Sequence, residues 1–203
     1  MDAPAPEATG PTSLRRGRDI WWSRAVPCGG TDAQKFLEAH GCGVWPSNIV
    51  RFLPEAVFTG PIACPAVAFA YRTWPDLEAL SGLEVWPVLD DGFCPGWIRP
   101  ELWGDTQGAA VICGTPGERL AIVTGGGPDA LAASCRLGEA VWGIPDEAAL
   151  ATLVLPKLPA ARKTVAITPR PPAPETVRAW AAQGREASWM DSRRFWSGVE
   201  DAA

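Results

Sequence analysis

The sequence predicts an α/β protein in which a parallel sheet domain follows a small mixed α/β module with mainly antiparallel strands. From Glu118 onward, short apolar runs alternate with segments of helical character, the order typical of a parallel sheet with right-handed crossovers. Before Gly114, the apolar runs are short and are separated by Pro and Gly, which favours small antiparallel strands. Apolar residues make up 47% of the 203 residues, enough to form a core.

The second half is organised around residues 120–136, LAIVTGGGPDALAASCR. Leu120–Val123 predicts a buried strand, and Pro128 predicts the first turn of a helix, where its missing N–H would have no partner. The three glycines between them predict a turn whose free N–H groups and helix dipole can hold an anion. The elements expected after this helix are a strand Ala140–Ile144, a helix Asp146–Leu155, a strand Thr164–Thr168, a helix Glu175–Gln183 and a strand Glu186–Met190. In a parallel sheet of this order, Val123 and Ile167 should lie side by side.

In the first half, Thr31 or Asp32 predicts the start of a short helix over Ala33–His40, which Gly41 ends. The strands expected here are Ile49–Leu53, Ala66–Tyr71, Leu83–Leu89 and Ala109–Cys113. Asp90-Asp91-Gly92 is most simply a hairpin turn between strands rather than a pair of metal ligands. The predicted organisation is a disordered tail at 1–13, a module at 14–115 and an α/β domain at 118–203.

Charge and composition exclude several classes of function. The net charge of −5 provides no general basic field for nucleic acid, so any such binding must be local. His40 is the single histidine, so a Ser-His-Asp triad or a Cys-His dyad is excluded unless His40 belongs to it. Its position just before Gly41 favours a role at the C-terminus of a helix instead. The six cysteines are spread evenly and are expected to be reduced, mostly buried thiols: Cys28, Cys42, Cys64, Cys94, Cys113 and Cys135.

Two further patterns concern the location of the protein and its contacts. No apolar run is long enough to cross a membrane and the N-terminus has no signal-peptide pattern, so a cytoplasmic protein is expected. Arg15, Arg16 and Arg18 precede Trp21-Trp22, either as a solvated flank of a packed segment or as an arm that contacts phosphates. The tryptophans expected to be core residues, or else to stack on bases, are Trp74, Trp86, Trp97 and Trp103.

Eight segments together resemble a known family. In the first half they are WWSRAVPCGGTDAQKFLEAHG, IVRFLP, VWPVLDDG and GAAVICG; in the second they are LAIVTGGGPDALAAS, AVWGIPDEAALATLVLP, TVAITPRP and ETVRAWAAQGREA. Their order and spacing over roughly residues 20 to 200 resemble the Toprim-domain proteins of phages, plasmids and mobile elements, of the primase–helicase type. The resemblance implies a Toprim-like fold behind a small N-terminal module.

The chain departs from this family at the residues that carry its chemistry. The family has two acidic positions after the first strand, which fall on Gly125 and Pro128 here. It also has an Asp-x-Asp pair after the third strand, where this chain has Pro169-Arg170-Pro171. Such carboxylates gather Mg²⁺ and position a phosphate. We therefore expect no catalytic residue, no metal and no cofactor.

Three functional hypotheses follow. The first is a catalytically inactive Toprim-like protein that binds a replication protein or, weakly and without sequence preference, nucleic acid. Its candidate phosphate-binding residues are Gly125, Gly126, Gly127, Asp129, Arg162, Lys163 and Arg170. The second is a nucleotide cofactor site, because GGGPDA satisfies the dinucleotide pattern G-x-G-x-x-A, with Asp146 twenty-one residues after Gly125. The third is a protein-binding scaffold. The identity of the partner, the choice between DNA and RNA, and the oligomeric state stay open.

Overall fold

A computed structural model describes residues 18–59, 62–89, 91–92, 94–96 and 98–198, and it contains one large mixed sheet. The strands are β1 (Val50–Val57), β2 (Ala63–Arg72), β3 (Gly82–Pro87), β4 (Glu101–Gly104), β5 (Ala110–Cys113), β6 (Arg119–Thr124), β7 (Val141–Ile144), β8 (Lys163–Thr168) and β9 (Glu186–Asp191). The helices are α1 (Asp32–Ala39), α2 (Gly126–Leu137), α3 (Pro174–Ala182) and α4 (Ser192–Ser197), with a 3-10 helix at Glu147–Ala151. Within these ranges, no helix has the length and apolar character needed to span a membrane.

The sheet is antiparallel at one end and parallel at the other. Its order is β4-β3-β2-β5-β7-β6-β8-β9, and β1 pairs with β2. The pairs β7–β6, β6–β8 and β8–β9 are parallel, whereas every pair that involves β1 to β5 is antiparallel. This confirms the predicted succession of antiparallel and parallel strands. The predicted neighbours Val123 and Ile167 are directly opposite each other.

Strand β5 joins the two ends of the sheet. On one side Val111 and Ala110 face Tyr71 and Arg72 of β2, and on the other side β5 pairs with β7. The guanidinium of Arg72 is buried at this junction and donates to the carbonyls of Asn48 and Leu77. One apolar cluster contains residues from both sides of the segment 114–117. Its members include Phe36, Phe69 and Val111 before this segment and Val123 and Leu131 after it. That segment therefore separates the two strand arrangements within a continuous sheet and core.

The predicted helix over Asp146–Leu155 is wrong beyond its first turn. Only the 3-10 helix forms, and its start is capped by the carboxylate of Asp146, which accepts from the N–H of Ala149 at 3.1 Å. The β-branched residue Val154 disfavours further helix, and Pro156 restricts the backbone of the residue before it. The N–H of Val154 bonds instead to the carbonyl of Gly108 at 3.3 Å.

Other differences are smaller. Helix α2 begins at Gly126, so Pro128 lies inside the first turn rather than opening it. Strand β4 and helix α4 were not predicted, because each is short and its apolar residues show no clear periodicity. The N–H of Gly92 donates to the carbonyl of Leu89, which forms a turn within a longer connection between β3 and β4. The predicted tail 1–13 lies outside the described residues. The same holds for Arg15, Arg16, Asp90 and Trp97.

Three glycines allow α2 to approach the sheet closely. A Cβ on Gly127 would lie 2.1 Å from the ring of Phe69. A Cβ on Gly143, in β7, would lie 2.3 Å from the carbonyl oxygen of Gly126. A Cβ on Gly126 would lie 2.1 Å from a carboxylate oxygen of Glu84, in β3. Side chains at these positions would push the helix away from the strands.

Replacing Gly143 by Ala should therefore lower the free energy of unfolding by about 2 kcal/mol or more, because the obstacle is backbone and cannot rotate away. Gly117→Ala is the matched control, since a Cβ there meets no atom within 4 Å and should change stability by less than about 0.5 kcal/mol. Urea denaturation of both variants measures the difference. Equal stabilities would contradict the close packing of α2 on β7.

Candidate functional site

The carboxyl ends of the three adjacent strands β7, β6 and β8 form the candidate site. Gly125 follows β6, Asp146 follows β7, and Arg170 follows β8. The glycine turn and the segment Pro169–Pro171 lie at neighbouring strand ends, since β6 and β8 are paired. Crevices at such ends are where α/β sheets usually bind ligands.

The glycine turn is already bonded to an internal carboxylate. Glu84 projects from β3, and its Oε2 accepts from the backbone N–H of Gly127 at 2.6 Å. A Cβ on Gly126 would lie 2.1 Å from this oxygen, and the φ of +70° at Gly126 also favours glycine. The start of α2 thus has the anion that the sequence predicted, but it is one of the protein's own side chains. A pyrophosphate at this turn would have to displace Glu84, which argues against a dinucleotide site.

Burial controls the ionisation of Glu84. It raises the pKa of this carboxyl to about 7, while the N–H of Gly127, the Trp86 indole and the Tyr71 hydroxyl act in the opposite direction. The Tyr71 hydroxyl donates to the same oxygen at 3.4 Å. Asp129 raises the pKa further through like-charge repulsion.

Asp129 lies on the first turn of α2, on the other side of the glycine turn. Its Oδ2 would lie 2.2 Å from a Cβ on Gly125, so the side chain folds back over the turn. Burial raises the pKa of Asp129 to about 6, and the charge of His40 acts against this rise. Two neighbouring carboxylates therefore oppose the binding of a phosphate at the three glycines.

His40 itself ends α1, as the sequence indicated. Its Nδ1 lies 2.8 Å from the carbonyl oxygen of Phe36, and the two rings are 4.2 Å apart. These contacts are those of a helix terminus, with the ring held against the core.

Arg170 is an exposed cationic group at this edge. Its Nη2 lies 2.7 Å from Oε2 of Glu147, and its side chain is 81% exposed. This ion pair connects the segments that follow β7 and β8, the two strands on either side of β6. Next to it, the indole N–H of Trp189 donates to the hydroxyl of Thr168 at 3.0 Å.

Two other candidate residues lie elsewhere. Arg162 and Lys163 are at the beginning of β8, roughly 17 Å from its end at about 3.3 Å per residue. Arg162 pairs with Glu186 at 2.7 Å, and Lys163 pairs with Glu118 at 3.1 Å. The predicted phosphate-binding residues therefore lie at opposite ends of the strands: Arg162 and Lys163 at the start of β8, and Arg170 beyond its end.

Arg185, a further arginine of the second half, is buried. Its guanidinium donates to the carbonyls of Pro156, Ala160 and Ala161, so it holds the β7–β8 connection and does not face solvent.

The described residues contain no group of three or more His, Cys, Asp or Glu side chains that could hold a metal ion. All six cysteines are free thiols, and three of them are buried. Burial raises the pKa of Cys28 and Cys42 to about 12, so neither is a nucleophile at neutral pH.

Glu84 is the site residue that sequence reasoning missed. The only signal was one carboxylate within the apolar run Leu83–Leu89, where a charge is unusual unless it has a partner. That partner is distant in sequence, so the pattern alone did not indicate it.

Comparison with known proteins identifies no family for this chain. No family model, no curated protein and no solved structure matches it.

The substitution Glu84→Gln should stabilise the protein more at pH 8 than at pH 5. A carboxyl whose pKa rises from 4.5 to about 7 on folding binds protons more tightly in the native state. Its contribution to stability is therefore present at low pH and is lost as pH rises through this window, at about 1.4 kcal/mol per unit. Glutamine keeps an acceptor for the N–H of Gly127 without the charge.

Denaturant unfolding at pH 5, 6, 7 and 8 measures the effect. Glu175→Gln, at an exposed side chain, controls for the loss of one negative charge. A stability difference between wild type and Glu84→Gln that stays constant across this range would show that Glu84 ionises normally in the fold.

Proposed function

We propose that this chain is a cytoplasmic, catalytically inactive Toprim-like protein, related to the primases of phages or mobile elements, that binds nucleic acid weakly. One observation carries the proposal. Strands β6 and β8 are parallel neighbours, so the positions that the resemblance assigns to metal-binding carboxylates adjoin at one edge. Those positions hold Gly125, Pro128 and Pro169-Arg170-Pro171.

Arg170 supports a role in phosphate binding rather than metal binding. A guanidinium repels Mg²⁺ but matches the geometry of a phosphate. The Arg170 side chain is 81% exposed in its ion pair with Glu147, and pairs that water reaches contribute little free energy, so a phosphate can replace the carboxylate. Because Glu84 and Asp129 lie nearby, the interaction is weak and depends on few charges.

A protein partner is the alternative, and one observation favours it. Three large side chains near the end of β9 and in α4 are substantially exposed: Trp189, Met190 and Trp196. Exposed tryptophan and methionine are common at protein interfaces. Binding of a replication protein would use this surface instead of Arg170.

Arg170→Glu should weaken the binding of nucleic acid and make the salt dependence less steep, by roughly one unit in the slope of log K against log salt. Arg178→Glu is the matched control, because Arg178 is similarly exposed and also pairs with a glutamate, Glu175, at 3.1 Å. Glu147→Gln should strengthen binding, since it frees the guanidinium of Arg170.

Fluorescence anisotropy with single- and double-stranded oligonucleotides at low salt measures all four proteins. Equal losses in Arg170→Glu and Arg178→Glu would remove Arg170 from the site. Absence of binding by the wild type would leave the protein-binding alternative.

Adding millimolar Mg²⁺ or Mn²⁺ should leave the melting temperature unchanged. A ligand stabilises a fold only when it binds the native state preferentially, and one carboxylate rarely holds Mg²⁺ without substrate phosphates. Differential scanning fluorimetry with and without the ions provides the test, with Ca²⁺ as an ionic control. A rise of several degrees that is specific to Mg²⁺ or Mn²⁺ would contradict the loss of family chemistry.

A further inference from the structure

The last strand of the sheet, β9, is paired on one side only. Among the strands that the structure describes, β9 pairs with β8 alone and lies at the end of the sheet. The N–H of Glu186 donates to the carbonyl of Arg162, so the backbone groups of the even-numbered residues of β9 point towards β8. Those of Ala187, Trp189 and Asp191 consequently point away from the sheet. β9 therefore presents a row of backbone donors and acceptors to another strand.

This edge lacks the features that usually protect a terminal strand. Such strands are commonly short or bulged, or they carry lysine or proline. β9 has six residues, EASWMD, without lysine or proline, and its register with β8 is regular throughout. β4, at the opposite end of the sheet, has only four residues. Two large side chains of β9 are exposed, Trp189 by 41% on one face and Met190 by 43% on the other. A strand with these properties is suited to pairing with a further strand.

An apolar groove of about 290 Å³ lies beside this edge, on the face that carries α2 and α4. It is lined in part by Val165 and Ile167 of β8, Ser188 and Met190 of β9, and Phe195 of α4. Ser188 is the small member of this lining, two residues before Met190 on the same face. A strand added at the edge can therefore place a large side chain opposite Ser188, next to the groove.

The sequence of β9 matches a second copy of itself. An antiparallel ladder forms when residues whose backbone groups point outward face each other. A two-fold axis at Trp189 satisfies this condition, and the two Trp189 residues then exchange both backbone hydrogen bonds. In this register Ser188 faces Met190 of the second copy, so a small side chain lies opposite a large one, as in well-packed interfaces between elements.

Charge favours the same register. With the axis at Trp189, Glu186 faces Ser192 of the second copy. The next residue of that copy is Arg193, whose side chain is 80% exposed, so opposite charges are adjacent and no like charges are directly opposed. An axis at Ser188 would instead place the carboxylate of Glu186 opposite the apolar Met190.

We propose that two copies of this protein pair through their β9 strands, antiparallel about a two-fold axis at Trp189, and form one continuous sheet. This pairing goes beyond the proposed function and does not depend on it, because Arg170 takes no part in the ladder. A single strand pair buries less area than a standard protein interface, so the dimer is reversible and forms as the protein concentration rises.

Analytical ultracentrifugation of the full chain tests the pairing. The mass of the wild type should rise from that of one chain towards that of two as protein concentration is raised. Trp189→Lys should keep the mass of one chain throughout, because a lysine on an edge strand opposes pairing. Leu102→Lys is the matched control and should dimerise as the wild type does, since Leu102 is also 41% exposed and lies on β4, the strand at the other end of the sheet.

Far-UV circular dichroism checks that each variant folds. If Trp189→Lys does not, Met190→Lys replaces it, at a side chain that is also exposed. A wild type that stays monomeric at every concentration would overturn the pairing and leave this edge to a different protein. Equal loss of the dimer in Trp189→Lys and Leu102→Lys would also overturn it.

Disulfide cross-linking tests the register. In the proposed ladder Ser188 and Met190 of the second copy form a non-hydrogen-bonded pair with Cα atoms about 4.5 Å apart, within the range of a disulfide. A mixture of Ser188→Cys and Met190→Cys chains should therefore form a covalent dimer with the oxidant diamide. Either variant alone should give no more than the wild type, whose exposed Cys135 sets the background. Cross-linking of Ser188→Cys with itself, or none in the mixture, would overturn the axis at Trp189.

Discussion

The hydrogen bond between the Glu84 carboxylate and the N–H of Gly127 is the contact on which the arrangement of the site depends. It connects β3, in the antiparallel part, with the start of α2, in the parallel part. The approach is so close that Gly126 and Gly127 leave no room for a Cβ, and Phe69 lies directly beneath the second glycine. A buried carboxylate needs a partner, and the free N–H groups of a helix start are suitable partners because the helix dipole is positive there.

This contact also explains why a glycine-rich turn between strand and helix does not by itself indicate a ligand site. The same glycines that would admit a phosphate admit a glutamate side chain from another strand. The N–H of Gly127 at the helix start therefore has an internal acceptor, and the exposed cation beside it, Arg170, lies on a different turn. An external anion can still reach the exposed guanidinium of Arg170, at the neighbouring strand end, beside a turn whose Gly127 N–H already has an acceptor.

The regular parts of the fold could be predicted because local pattern and tertiary structure agree. Leu120–Val123 is an apolar run followed by three glycines and a proline, and it forms the central parallel strand followed by a helix. Gly41 follows a helix end as expected. The register that places Val123 opposite Ile167 followed from strand order alone.

The candidate site was less predictable, because its contacts join residues far apart in the chain. Glu84 and Gly127 are 43 residues apart, and Arg170 and Glu147 are 23 apart. A single sequence carries no signal for such pairs. The burial of Arg185 likewise has no signal in the sequence, since its acceptors are backbone carbonyls that no side-chain pattern reveals.

Strand β5 lies in the first half of the sequence and pairs with strands of both halves, β2 and β7. Removing the residues before 118 would remove β5 and leave β7 as an edge strand. Its unpaired backbone N–H and C=O groups could then pair with other chains. The same truncation would also remove Glu84, so the N–H of Gly127 would lose its acceptor. The segment before residue 118 therefore supplies the parallel strands with the neighbour that covers the edge of β7 and with the acceptor for the Gly127 N–H.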